Sequence, residues 1–218
     1  IKKSCDVYFY EVARILGVDK LAKTAEKFGL GQTVLNGLKE EKVGIVPNTI
    51  WKLNTIGKNW YIGETLHSGI GQGYYLTTPL QLCLMTAQIA NGGYRVKPRL
   101  IFGEEDLENN LTELKQTNLN EVFGQVASKP LFRNQENINF IKEAMFASSN
   151  EVGGTSYASR LNDEKFTFAG KTGSSQIKRF TEEQREAEVK QKDIEYLSRD
   201  HALFVAFAPY KNPKYAIS

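Results

Sequence analysis

The amino-acid sequence predicts an α+β fold, with helices in the first part of the chain and strands in the last. Apolar residues recur at helical spacing within residues 9–28 and again within 80–90. Two short runs typical of strands, 166–169 and 202–208, come near the end. With 218 residues, 41% of them hydrophobic, the chain is long enough to bury one core. We therefore expect a helical part followed by a sheet built largely from the C-terminal residues.

Two helices are predicted near the start of the chain. Asp6 is suited to be the N-cap of the first helix, which Gly17 ends. The second is predicted to end with Gly29 at the C′ position. The apolar faces consist of Phe9, Val12, Ala13 and Leu16 in the first helix and of Leu21, Ala25 and Phe28 in the second. Residues 31–63, which include two Trp, are predicted to form an irregular packed loop.

The strongest local signal is the start of a central helix at Thr78-Pro79-Leu80-Gln81. Threonine suits the N-cap, proline suits N1, and glutamine at N3 can reach back to complete a capping box. The helix is apolar on nearly every side until Asn91-Gly92-Gly93 ends it, so we expect it to be buried.

The later segments differ in how strongly they are patterned. Residues 103–137 are polar and predict a surface excursion, and a helix is predicted over 138–148. The apolar run 202–208 is suited to a strand covered on both faces. The charge-dense residues 176–200 predict either a helical projection or a mobile flap. A further strand is predicted to begin near Lys214.

Composition argues against several classes of protein. The net charge is only +3 and basic residues alternate with acidic ones, so no nucleic-acid groove is expected. Cys5 and Cys83 are not clustered, so two separate core thiols are favoured over a disulfide, and no zinc site or other cofactor is expected. His67 and His201 are the only histidines, which argues against a Ser-His-Asp triad. The sequence contains no run of about 18 apolar residues, so no membrane-spanning helix is predicted.

Three short motifs carry the chemistry, and together they are specific. They are Ser4-Cys5-Asp6 at the start of a helix, Gly69-Ile70-Gly71-Gln72-Gly73-Tyr74 before the capped helix, and Lys171-Thr172-Gly173-Ser174 at the end of a predicted strand. With Thr78-Pro79 and Phe207-Ala208-Pro209, they resemble the class B penicillin-binding proteins over nearly the whole chain. The Ser-x-Asp motif and the residues after it are similar to the elongation-specific penicillin-binding protein 2 group.

The resemblance implies a penicillin-binding transpeptidase fold of the β-lactamase-like type, with a helical subdomain and an antiparallel sheet. Residues 1–218 would form a partial domain, cut at both ends, and the family's S-x-x-K motif would lie upstream of residue 1. One S-x-x-K string is present, at Ser175-Gln176-Ile177-Lys178. It follows K-T-G on a predicted strand, where positions i and i+3 point to opposite faces. We interpret it as a false match and not as the nucleophile.

The resemblance implies catalytic roles for three residues. Ser4 would relay a proton toward the leaving D-Ala amine, and Asp6 would hold that hydroxyl and the lysines in register. Lys171 would hydrogen-bond Ser4 and keep the site electropositive. Taken by themselves, Ser4 and Asp6 would be interpreted as helix-capping residues and Lys171 as a surface lysine.

The K-T-G strand is implied to bind the substrate. The hydroxyls of Thr172 and Ser174 would bind the terminal carboxylate of the stem peptide, and the Ser174 N–H would form half of the oxyanion hole. Gly173 would leave room for the substrate backbone to pair as an added edge strand. We expect Gly71-Gln72-Gly73 to shape a turn behind the site and Gly153-Gly154-Thr155 to be a structural turn.

The implied function is that of a peptidoglycan D,D-transpeptidase that cross-links stem peptides ending in D-Ala-D-Ala through a serine acyl-enzyme and is acylated by β-lactam antibiotics. The longer protein that contains this chain, called the parent protein below, would be anchored upstream at the periplasmic face of the cytoplasmic membrane. Its partners would be a membrane-embedded glycosyltransferase and elongation-complex proteins. The G-Q-G-Y…T-P-x-Q segment argues against a D,D-carboxypeptidase or a β-lactamase. A non-catalytic penicillin sensor stays open, because the decisive motif is absent. This fragment alone is expected to be inactive.

Overall fold

The computed structural model describes residues 1–35, 39–98, 129–176 and 194–218. Within these ranges, six α-helices come before a three-stranded antiparallel sheet, which confirms the predicted α+β order. The helices are α1 (Asp6–Leu16), α2 (Val18–Lys27), α3 (Thr49–Ile56), α4 (Ile62–Gly69), α5 (Pro79–Ala90) and α6 (Gln135–Asn150). Short 3-10 helices lie at Tyr157–Ser159, Glu164–Phe166 and Tyr196–Ser198.

The sheet contains β1 (Ala169–Ser175), β2 (His201–Ala208) and β3 (Tyr215–Ile217), in that order across the sheet. The central strand, β2, is antiparallel to both neighbours. Its register places Val205 opposite Lys171. Among the described residues, β1 has no strand on its other side, so that edge of the sheet is open.

Helices α5 and α6 pack against the sheet and form the main core with it. α6 lies against β1, whereas α5 lies against β2 and β3. The buried apolar side chains of this core are Phe28, Ile89, Ala90, Ile138, Met145, Ala169 and Phe207. At the end of α6, Asn150 Nδ2 donates a hydrogen bond to the carbonyl of Phe168, 2.8 Å away. The start of β1 is therefore fixed by the core and by α6.

Helices α1 and α4 pack closely because a glycine lies between them. A Cβ on Gly69 would lie 2.5 Å from the Cβ of Ala13 and 2.9 Å from the carbonyl oxygen of Phe9. A larger residue would push the two helices apart. The contact fixes the end of α4, from which residues 70–74 continue, against the helix that follows Ser4.

The start and the buried face of α1 differ from the prediction. Its N-cap is Cys5 and not Asp6, because Cys5 is still extended and helical geometry begins only at Asp6. As the first helical residue, Asp6 places its carboxylate at the positive end of the helix dipole. Leu16 was predicted to be buried but is 41% exposed, because α4 covers α1 near Phe9 and Ala13 instead.

The irregular loop predicted over residues 31–63 is wrong, because α3 and the start of α4 lie within it. Asn48 caps α3 by accepting a hydrogen bond from Trp51 N at 2.8 Å, and Gly57 ends it in the left-handed conformation. Both capping signals are present in the sequence, but an eight-residue helix is too short to show a convincing apolar period.

The strand boundaries are shifted relative to the prediction. Residues 164–166 form a 3-10 turn and β1 begins at Ala169, so the K-T-G motif lies within the strand. β2 is confirmed, but only Ala206 and Phe207 are buried, so full cover on both faces is wrong. The helix predicted over 138–148 and the strand predicted near Lys214 are confirmed by α6 and β3.

Other expectations are settled only in part. Cys5 and Cys83 are separate free thiols, as predicted, but the core position predicted for Cys5 is wrong, because Cys5 is exposed and Cys83 is only partly buried. Most of 103–137 and of 176–200 lies outside the described residues. No helix in the described ranges combines the length and the apolar character needed to cross a membrane. The same ranges contain no group of His, Cys, Asp or Glu side chains arranged to bind a metal ion.

The predicted capping box at the start of α5 is confirmed. Thr78 Oγ1 accepts from Gln81 N at 3.2 Å, and Gln81 Oε1 accepts from Thr78 N at 3.1 Å. The Gln81 side chain is fully buried, and its Nε2 also donates to the carbonyls of Gln32 and Val43, each at 2.8 Å. One glutamine therefore caps the central helix and holds two loop segments against it.

Replacing Gln81 by Leu is expected to lower the free energy of unfolding by about 2–4 kcal/mol, because two carbonyls would lose their donors inside the protein. The matched control is Gln32→Leu, which removes an exposed amide that donates to Glu26 O. We expect that control to cost less than about 1 kcal/mol. Denaturant unfolding measures both variants, and equal losses would contradict the role of Gln81.

Candidate active site

Ser4 has an unusual backbone conformation directly before α1. Its φ is +47°, and it is the only non-glycine residue with positive φ in the described ranges. L-residues rarely adopt this left-handed region. Ser4 N donates to the carbonyl of Ile1 at 3.2 Å, which closes a tight turn. Strain of this kind persists only where the surroundings fix the residue, and it is frequent at functional sites.

Lys171, near the middle of β1, contacts Ser4 across 167 positions of sequence. Its Nζ donates to Ser4 Oγ at 2.5 Å and to the carbonyl of Thr172 at 2.6 Å. The structure therefore brings together two of the three residues implied as catalytic. In the described part of the chain, the hydroxyl of Ser4 is bonded by Lys171 and not by Asp6.

The environment of Lys171 alters its protonation. Burial lowers the pKa of the Lys171 ammonium below its ordinary value, and the negative charge of Asp6 opposes that change. Asp6 therefore acts on the site through its charge. A lowered pKa raises the fraction of neutral amine at a given pH, and a neutral amine can accept a proton.

A line of hydroxyl groups continues from Lys171 into α6. Thr172 Oγ1 accepts from Lys171 Nζ at 3.3 Å and donates to Thr155 Oγ1 at 3.0 Å. Thr155 Oγ1 lies 3.1 Å from Ser148 Oγ, and Thr155 N donates to the carbonyl of Lys2 at 3.2 Å. The turn that carries Thr155 therefore joins the K-T-G strand to the segment before α1, which is consistent with the structural role expected for it.

The backbone groups of Thr172 and Ser174 face the open edge of β1. In a strand, the carbonyls of residues i and i+2 point to the same side. Both carbonyls accept from side-chain donors, Lys171 Nζ at 2.6 Å and Gln72 Nε2 at 2.8 Å. In an antiparallel strand, the N–H and C=O of one residue share a side, so the Ser174 N–H also faces this edge.

The two glycines in β1, Gly170 and Gly173, differ in how much space the fold leaves for a side chain. A Cβ on Gly170 would lie 2.5 Å from Phe204 Cζ and 3.0 Å from the carbonyl oxygen of Val205, so the fold itself requires glycine. A Cβ on Gly173 would meet only Leu203 Cβ, at an ordinary 3.4 Å. Because no described residue excludes a side chain at Gly173, its importance for a bound ligand stays a prediction.

Gln72 is a site residue that the sequence analysis missed. The predicted turn at Gly71-Gln72-Gly73 is present, with φ of +75° and +86° at the two glycines. It does not lie behind the site, because Gln72 Nε2 donates to Ser174 O. The two residues are 102 positions apart, and no sequence signal marks their contact. Thr155 was missed for the same reason.

Comparison with known proteins gives consistent matches along the whole chain. A family model described as the penicillin binding protein transpeptidase domain matches residues 1–218. The peptidoglycan D,D-transpeptidase MrdA of Salmonella typhimurium is 33% identical over 218 residues, which cover 100% of this chain and 33% of that protein. The chain spans about one third of the length of the curated relatives it matches.

Two solved structures extend the likeness to three dimensions. The complex between penicillin-binding protein PBP2 and MreC from Helicobacter pylori matches with a TM-score of 0.76 and 34% identity, over 100% of this chain and 34% of that one. PBP2 of Pseudomonas aeruginosa in complex with WCK 5153 matches with a TM-score of 0.74 and 32% identity, over 100% of this chain and 42% of that one.

Replacing Asp6 by Asn is expected to lower the pKa of Lys171 further, because the Asp6 charge favours the ammonium form. An NMR pH titration of the Lys171 side chain measures the change. The matched control is Glu11→Gln on the same helix, because the Glu11 carboxylate pairs with Arg14 at 2.7 Å instead. An unchanged pKa in the Asp6 variant, or an equal change in the control, would contradict the electrostatic role of Asp6.

Proposed function

The chain belongs to the penicillin-binding protein transpeptidase domain family, and we propose that it supplies the proton relay and the substrate-binding strand of a peptidoglycan D,D-transpeptidase. The observation that carries this proposal is the hydrogen bond from Lys171 to Ser4 beside the open edge of β1. A lysine and a serine in contact would suit many reactions. Beside an unpaired strand edge, they suit a reaction whose substrate is an extended peptide.

In the proposed reaction, the serine of an S-x-x-K motif, which we expect outside these 218 residues, gives its proton to the lysine of that motif and attacks the carbonyl of the penultimate D-Ala. The bond to the terminal D-Ala breaks, and the leaving nitrogen takes a proton delivered through Ser4. Lys171 holds the Ser4 hydroxyl, and its lowered pKa favours proton exchange with that hydroxyl. An acceptor amine then attacks the acyl-enzyme, the acyl–serine bond breaks as the amide cross-link forms, and the proton lost by the amine returns to the serine oxygen.

The open edge of β1 is suited to pair with the donor peptide. An extended peptide would add as a further strand, its N–H donating to the carbonyl of Ser174 and its reacting carbonyl accepting from Ser174 N–H. Gly173 adds no side chain that would obstruct such a strand. The hydroxyls of Thr172 and Ser174 would bind the terminal carboxylate, and Thr155 would orient the hydroxyl of Thr172.

The relatives of this chain also suggest its inhibitors, its partners and its location in the cell, and we include these in the proposal. β-Lactam antibiotics would acylate the same serine that attacks the peptide. The Helicobacter pylori PBP2 is described in complex with MreC, which supports an elongation-complex partner for this protein as well. A membrane-embedded glycosyltransferase partner and an anchor at the periplasmic face of the cytoplasmic membrane follow from the same family likeness.

Two other activities would use the same geometry. A D,D-carboxypeptidase would pass the acyl group to water, and a penicillin sensor would keep the acyl adduct without turnover. The curated relative named as a D,D-transpeptidase favours transfer to an amine.

A fluorescent penicillin is expected to label the parent protein with its S-x-x-K motif, and not the 218-residue chain alone. Ser175→Ala in the parent is expected to leave labelling intact, because Ser175 ends a strand and does not lie on a helix. Gel fluorescence and mass spectrometry of the labelled peptide give the result. Absence of labelling in the parent protein would contradict the enzyme proposal. A stable adduct on Ser175 would overturn the interpretation of the string at residues 175–178 as a false match.

A further inference from the structure

The turn that carries Gln72 is anchored by an ion pair between a buried lysine and a partly buried glutamate. The side chain of Lys52 is only 2% exposed, and its Nζ contacts both carboxylate oxygens of Glu64, at 2.5 and 2.7 Å. Tyr74 OH donates to the same carboxylate at 3.2 Å, and Gln72 N donates to the carbonyl of His67 at 3.0 Å. The backbone on both sides of Gln72 is therefore tied to α3 and α4.

This anchor is charged and resists rearrangement. Burial alone would raise the pKa of the Glu64 carboxyl, but hydrogen bonds from Lys52 and from Tyr61 N outweigh burial, and the pKa is lowered. Breaking one side of such a pair leaves an uncompensated buried charge, which is strongly unfavourable. The base of the turn is therefore rigid.

At the tip of the turn, by contrast, the Gln72 side chain donates to an exposed acceptor. Gln72 Nε2 donates to the carbonyl of Ser174 at 2.8 Å, at the exposed end of β1. A glutamine amide N–H is the same kind of donor as a peptide N–H. An exposed hydrogen bond shifts an equilibrium by only about twofold to tenfold, so a ligand can displace it. Displacement needs rotation of the Gln72 side chain alone.

We propose that Gln72 is a residue of the substrate-binding edge whose side-chain amide occupies the Ser174 carbonyl in the empty site and yields it to the amide N–H of an incoming donor peptide or penicillin. This inference rests on the proposed function and adds a competition step to it. No described strand pairs with this edge, but the Ser174 carbonyl already accepts from Gln72, so a ligand N–H that approaches it along the strand competes with that amide.

A permanent brace is the competing interpretation, in which Gln72 stiffens the end of β1 for the substrate. The two interpretations predict opposite effects of removing Gln72 on reversible ligand binding. Loss of a competitor strengthens reversible binding, whereas loss of a brace weakens it. The exposure of the contact favours the competitor, because a lasting brace gains most where water is excluded.

The test measures acylation of the parent protein by a fluorescent penicillin in stopped flow, which separates the Kd of the reversible complex from the acylation rate constant. Gln72→Leu keeps the side-chain size and removes the donor, so we expect Kd to fall about threefold to tenfold with the rate constant unchanged. Gln72→Met, which keeps the side-chain length and has no N–H donor, is expected to change Kd in the same direction. The matched control, Gln135→Leu, removes an amide that donates to Phe132 O and should change neither constant.

The outcomes separate this inference from the proposed function. Acylation of the wild type together with an unchanged or raised Kd in Gln72→Leu would overturn the inference alone. A wild type that is not acylated would overturn the proposed function and the inference with it. A second measurement does not depend on any variant: the NMR signal of the Gln72 side-chain amide is expected to shift when penicillin binds the wild type, and an unshifted signal would contradict displacement.

Discussion

The one-sided pairing of β1 is the constraint on which the rest of the site depends. The strand begins in the core, where Ala169 is fully buried, and it becomes exposed toward Ser175. β2 pairs with it along its whole length and so fixes which residues face outward. Because no described strand covers the other side, the backbone groups of Thr172 and Ser174 are open to side chains and to ligands.

Three separate segments reach this edge, and each does so through long-range packing. The contacts, in order along the strand, are Ser4 with Lys171, Thr155 with Thr172, and Gln72 with Ser174. The segment before α1 is positioned by the close contact of α1 with α4, and the turn after α6 by the packing of α6 on β1. Lys171 is partly buried at this site, and that burial lowers its pKa, so the position of the lysine also affects its proton chemistry.

Sequence rules that act within a few residues correctly predicted the features whose partners are close in sequence. Thr78 and Gln81 could be assigned to a capping box because both partners lie within one helical turn. The N-cap of α1 was missed because it depends on the strained turn at Ser4, which the packing around it sustains. Gln72 was interpreted as part of a turn only, since its contact with Ser174 depends on how distant helices place the loop. Motif resemblance predicted Ser4 and Lys171, which the structure places in contact, but not Gln72 or Thr155, which bond to the same strand.

The central claim is that this edge binds a peptide whose acyl group passes to an amine. The most direct measurement incubates the parent protein with a stem peptide ending in D-Ala-D-Ala and an acceptor amine, and identifies the products by mass spectrometry. We expect an amide-linked product with one D-Ala released for each cross-link formed. Release of D-Ala with only the hydrolysed peptide, at saturating acceptor, would contradict the claim and indicate a carboxypeptidase.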